Sequence, residues 1–175
     1  MLLKQAVVDA INGQVAEEFG AMTQYIAISL YFQAETLPGL AKYFYAQAME
    51  EHGHALKLLH YLSDAGNKAV VPGVKAPKNE FGAAAEAVQL ALNQELKVTE
   101  QINNLVDLSI KENDHLSRQF LQWFVTEQLE EVSSMSDLLR VVKRAGETNL
   151  LLVEDYLARN PRADAEAGGG EATAE

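Results

Sequence analysis

Apolar side chains recur every three or four residues along four stretches of the chain, which is the spacing of one helix face. The first stripe reads Val7, Ile11, Val15, Glu18, Met22, Tyr25, and the second Leu40, Phe44, Gln47, Glu51, His54, Leu58. The third reads Val88, Ala91, Glu95, Val98, Ile102, Leu105, and the fourth Leu121, Phe124, Gln128, Glu131, Met135, Leu138, Val142. They predict long helices over about 4–33, 37–65, 80–112 and 115–145, with a short fifth over about 148–158. Pro38 suits a first helical turn, where a missing N–H costs little. Asn79 suits an N-cap, and Gly66 and Gly146 suit C-terminal caps.

The connections differ in length. The first joint lies around Ala34–Thr36 and the joint of the third and fourth helices near Asn113–Asp114, so each pair is expected to be an antiparallel hairpin. Between the pairs runs 66–78, GNKAVVPGVKAPK. About 13 extended residues reach roughly 43 Å at ~3.3 Å each. A helix of about 29 residues is equally long. The connection can therefore cross a whole bundle, and an all-α four-helix bundle with one long crossover is the ferritin-like arrangement.

Acids and one histidine interrupt the four apolar faces. A carboxylate buried without a partner costs several kcal/mol or gives up its charge. One interruption would fit a neutral acid or an edge residue, and ExxH alone is a common surface pair. Four together, each near the middle of its helix and hence at one level of the bundle, call for a cation. The spacing repeats as well, for Glu18 precedes Glu51 by 33 positions and Glu95 precedes Gln128 by 33. The pattern is E…ExxH followed by E…QxxE, and an i, i+3 offset puts both members on one face. Dimetal carboxylate bundles use one Glu from each of two helices and Glu-x-x-His from each of the other two. Here Gln128 and Glu131 stand in for the second Glu and His. Oxygen ligands with one imidazole suit Fe(II), Mn(II) or Zn(II). The half poorer in ligands would hold its metal more loosely.

Charge narrows the partners. Fourteen Lys+Arg against 25 Asp+Glu leave a net charge of −11, which disfavours nucleic acid and anionic membranes and favours cations. The absence of cysteine excludes disulfides, thiolate zinc, iron–sulfur clusters and a cysteine nucleophile. No apolar run is long enough for a membrane span, and the N-terminus lacks the features of a secretory signal, so a cytoplasmic protein is expected. The chain is read as one domain, 1–159, followed by a low-complexity acidic tail, 160–175, expected to be disordered.

On these motifs the chain resembles the ferritins, in particular the prokaryotic non-haem ferritins. The resemblance covers about residues 5–158 and is carried by 11–32 (INGQVAEEFGAMTQYIAISLYF), 37–62 (LPGLAKYFYAQAMEEHGHALKLLHYL), 90–102 (LALNQELKVTEQI) and 124–142 (FVTEQLEEVSSMSDLLRVV). It implies that Glu18, Glu51 and His54 bind the first ferroxidase iron, with Glu51 bridging. It makes Glu95 and Glu131 ligands of the second iron, with Gln128 beside it. Tyr25 matches a family tyrosine next to the diiron centre that has been proposed as an electron donor. Glu50, Glu127 and Glu130 match a third iron site on the cavity side. The latter three each precede a stripe residue by one, about 100° round the helix, so a solvated acidic face is the alternative for them.

The resemblance further implies oxidation of Fe(II) by O2 or H2O2 and storage of Fe(III) as a hydrated oxide inside a hollow 24-subunit shell. The apolar fifth helix, Leu150 to Val153, would gather at the four-fold axes. Haem-binding relatives carry a methionine just after the Glu of the second-helix ExxH, and in this chain His52 and Gly53 fill that gap, so no haem is expected. Arg118, Leu121 and Gln122 stand where animal ferritins line a three-fold channel with acids. The rival expectation is a non-enzymatic helical-bundle assembly protein without a metal site.

Overall fold

The computed structural model describes residues 2–160. Among them are five α-helices and no strand: α1 (Gln5–Ala34), α2 (Pro38–Asp64), α3 (Ala84–Lys111), α4 (His115–Ala145) and α5 (Leu151–Arg159), with a 3-10 turn at Glu147–Asn149 before the last. Helix α1 packs against α2, α3 against α4, and α1 against α3 to close the bundle. Apart from Asn160, the expected acidic tail lies outside the described residues.

Three helix ends share one stop. Gly66 has φ +73°, and Gly66 N–H and Asn67 N–H donate to Ser63 and Leu62 carbonyls, a Schellman closure. Thr36 (φ +60°) and Asn113 (φ +55°) occupy the same left-handed position at the ends of α1 and α3. Asparagine tolerates that region, whereas a β-branched threonine is strained there. Gly146 (φ +70°) caps α4, as expected.

The start of α3 departs from expectation. Asn79 is no N-cap: its amide donates to the Pro77 carbonyl, and the helix begins five residues later, behind an extended Ala83. The cause is non-local. Gln24 of α1 receives the Lys78 N–H at 2.9 Å and donates to the Lys78 carbonyl at 2.8 Å, which holds the backbone extended at that point. Asn12, further down α1, makes the same double contact with the Val70 N–H and the Lys68 carbonyl. The crossover is thus tied along α1 by two side-chain amides.

Every stripe residue named above is buried except Met22, which is half-buried. The apolar core forms two clusters. One gathers Tyr25, Ile28, Phe32, Phe44, Val88 and Met135, and the other Val7, Ile11, Val15, Leu58, Ile102 and Phe124. Each large side chain buried this way stabilises the fold by about 1.5–3 kcal/mol. The layer between them is polar: Glu18, Gln47, Glu51, Glu95, Gln128 and Glu131 are all buried.

Candidate metal centre

One member of this layer comes from α1, three from the middle of α2 with His54, one from α3 and two from α4. Glu18, Glu51 and His54 each offer a ligand atom, all within 4.8 Å of one another, and all three are buried. Among the described residues no other group of three acids and histidines meets that spacing. His54 Nδ1 lies 3.2 Å from Glu51 Oε2. Glu18 Oε1 accepts the Gln14 amide at 2.9 Å, while Glu18 Oε2 is buried without a hydrogen-bond donor.

In the opposite half, both Glu95 carboxylate oxygens are in hydrogen bonds. Tyr25 hydroxyl donates to Glu95 Oε1. Gln128 Nε2 lies 3.3 Å from Glu95 Oε2, 3.1 Å from the Glu95 carbonyl and 3.1 Å from Thr99 Oγ1. Gln47 Nε2 donates to Glu50 and lies 3.5 Å from Glu131 Oε1. A metal bound by Glu95 must displace or share these contacts, whereas Glu18 already has an open oxygen.

Electrostatics point the same way. Burial, and then the charges of Glu95 and Glu18, push the Glu51 carboxyl well above its ordinary range. Burial also raises Glu18, against the pull of hydrogen bonds with Glu51 and Gln14. Both carboxyls therefore hold protons more tightly than exposed ones do when no metal is bound. Burial, and then Glu95 and Glu51, hold the Tyr25 phenol well above its ordinary value, so it stays a donor. The charges that raise Glu51 are those of other acids, Glu95, Glu18 and Glu131. Buried carboxylates that crowd together without a lysine or arginine fit divalent cations, and oxygen donors with one imidazole fit iron.

The outlying acids are placed less tightly. Glu127 Oε1 lies 3.9 Å from His54 Nε2, and Glu50 is joined to Glu131 through Gln47. Glu130 is exposed on α4. His52, His60 and His115 are exposed. Trp123 is 39% exposed, with its ring 5.4 Å from that of His54 and beneath Lys57 Nζ at 3.7 Å. It lines a groove of about 690 Å³ that reaches His54 from the α2–α4 side.

Sequence reasoning gave no role to Gln14, Gln47 or Thr99. The first two did carry a signal, since Gln14 stands four residues before Glu18 and Gln47 four before Glu51, one turn away on the same face. Thr99 stands four residues after Glu95, again one turn away.

Residues 8–145 match the ferritin-like domain family. The chain is 46% identical over 166 residues to a protein named ferritin BfrB from Mycolicibacterium smegmatis, with 91% of each chain covered. It is 34% identical over 159 residues to a bacterial non-heme ferritin from Staphylococcus epidermidis, covering 90% of this chain and 96% of the relative. Among solved structures, an open pore ferritin from Archaeoglobus fulgidus superposes with a TM-score of 0.86 at 29% identity, covering 90% and 97% of the two chains. No helix among the described residues is long and apolar enough to cross a membrane.

Proposed function

Because the chain belongs to the ferritin family, we propose that it is an iron-storage ferroxidase whose substrate, Fe(II), is oxidised in the polar layer and whose product, Fe(III), is kept as a hydrated oxide inside a cytoplasmic shell of 24 chains. The reading is carried by the buried group Glu18, Glu51 and His54, which converges within 4.8 Å and includes a carboxylate oxygen with no donor.

Two Fe(II) ions held side by side give up one electron each, so that O2 or H2O2 receives two electrons at once. The protein's part is to hold them. Glu18 and His54 hold the first ion, Glu95 and Glu131 the second, and Glu51 lies between. Gln128 stays beside the second site as a neutral donor to Glu95. Tyr25 keeps its proton, donates it as a hydrogen bond to Glu95, and would be an electron donor beside the centre. Metal binding must expel the protons that burial keeps on the Glu18 and Glu51 carboxyls, so iron uptake releases protons. Glu50, Glu127 and Glu130 form a third iron site on the path to the store. Leu151 and Leu152, 74% and 64% exposed on α5, support association with other copies.

The test is aerobic oxidation of Fe(II) by metal-free protein at two irons per chain, followed by absorbance and oxygen uptake. A fast phase saturating near that ratio is the expected result. A rate no faster than a protein-free control would overturn the reading in favour of a bundle that serves only assembly.

A further inference from the structure

Each carboxylate of the layer outside the ExxH pair is touched by a buried glutamine amide: Gln14 on Glu18, Gln128 on Glu95 and Gln47 on Glu131. The first of these is the simplest. Gln14 is 4% exposed and Glu18 1%. The amide donates to Oε1 at 2.9 Å, and the other oxygen of the same carboxylate is left buried with no donor. A free carboxylate has two equivalent oxygens and can turn or chelate. An amide fixed on one of them removes that freedom. Because the amide is neutral, it does so without competing for the charge, as a lysine would.

We propose that Gln14 is a positioning residue for the first iron site, holding Glu18 Oε1 so that Oε2 alone is presented to the metal. The proposal rests on the ferroxidase reading above. Outer partners of metal ligands set the orientation of the ligand, and losing one typically costs about 10–100-fold in metal affinity. A merely structural Gln14 would instead satisfy a buried oxygen, and its loss would move stability and leave the metal site alone.

The test uses the full chain, stripped of metal, titrated with Zn(II) as a redox-inert probe and with Co(II) as a spectroscopic one. Gln14→Met keeps the length of the side chain and removes the N–H. It is expected to weaken the tightest Zn(II) site about 10–100-fold. The visible Co(II) band is expected to lose intensity as Glu18 chelates with both oxygens and raises the coordination number. Gln14→Asn, whose amide is too short to reach Oε1, guards against misfolding of the first variant and should behave like it. Unchanged Zn(II) affinity and an unchanged Co(II) spectrum in either folded variant would overturn the role of Gln14 and leave the ferroxidase reading standing. Parent protein that binds neither probe in the layer would overturn both.

Discussion

Glu154 of α5 holds the first turn of α2: its Oε2 accepts the Gly39 N–H at 2.5 Å and its Oε1 the Leu40 N–H at 2.9 Å. Helix α2 has no side-chain cap of its own at Leu37. Glu147 does the same for α3, accepting from Ala84 at 3.0 Å and Ala85 at 3.3 Å, where Ala83 also gives no cap. Two of the four helices that feed ligands into the layer are therefore capped by carboxylates that follow α4 in the chain. Glu154→Ala should destabilise the fold by about 1 kcal/mol, the usual worth of a cap. Gly39→Ala would put a Cβ 2.8 Å from Glu154 Oε2, the movable end of a side chain, so the carboxylate shifts and the weakened cap is offset by the better helix propensity of alanine, leaving stability near the parent. Denaturant unfolding checks both, and Fe(II) oxidation should stay near the parent rate, since the centre lies three turns away.

Glu51→Ala and His54→Ala should abolish the fast phase of oxidation while the shell still assembles. Loss of an outer partner already costs about 10–100-fold, so loss of a ligand should exceed about 100-fold. Stopped-flow absorbance gives the rate and size-exclusion chromatography the assembly.

Within the outlying acids the effects should be unequal. Glu127 faces His54 and Glu50 is linked through Gln47 to Glu131, whereas Glu130 is exposed. Glu50→Ala and Glu127→Ala should change the number of irons oxidised per O2 more than Glu130→Ala does. Oxygen-electrode measurements at several iron loadings decide this.

The metal-free protein should lose stability as pH rises. Burial raises the Glu18 carboxyl to about 7 in the folded state, while an exposed glutamate ionises near about 4.3. Between these values the folded chain keeps a proton that the unfolded chain has released, so this group's contribution falls with rising pH. Glu18→Gln should flatten that fall. Thermal midpoints of metal-free parent and variant at pH 5 and pH 8 test the sign, and metal affinity of the parent should rise over the same range.

Thr36→Gly should stabilise the chain by up to about 1 kcal/mol. The left-handed region costs a β-branched residue about 1–2 kcal/mol, part of which glycine gives back in chain entropy. The change touches no ligand, so the thermal midpoint should move and the oxidation rate should not.

The four helices, their buried faces and the acids placed midway along them were legible in the sequence because each is a local, periodic property. Side chains three and four residues apart share a face whatever the rest of the chain does, and mid-helix positions meet at one level in any bundle. Glu18, Glu51 and His54 follow from that rule. The start of α3 did not, because Gln24 holds Lys78 extended from 54 residues away. Nor did the caps of α2 and α3, whose carboxylates come from Glu154 and Glu147, more than 60 residues distant. The open oxygen on Glu18 and the occupied oxygens on Glu95 were likewise settled only by which amides and hydroxyls pack against each carboxylate. Periodicity fixes which face a side chain is on, and the packed neighbours decide which of its atoms remain free.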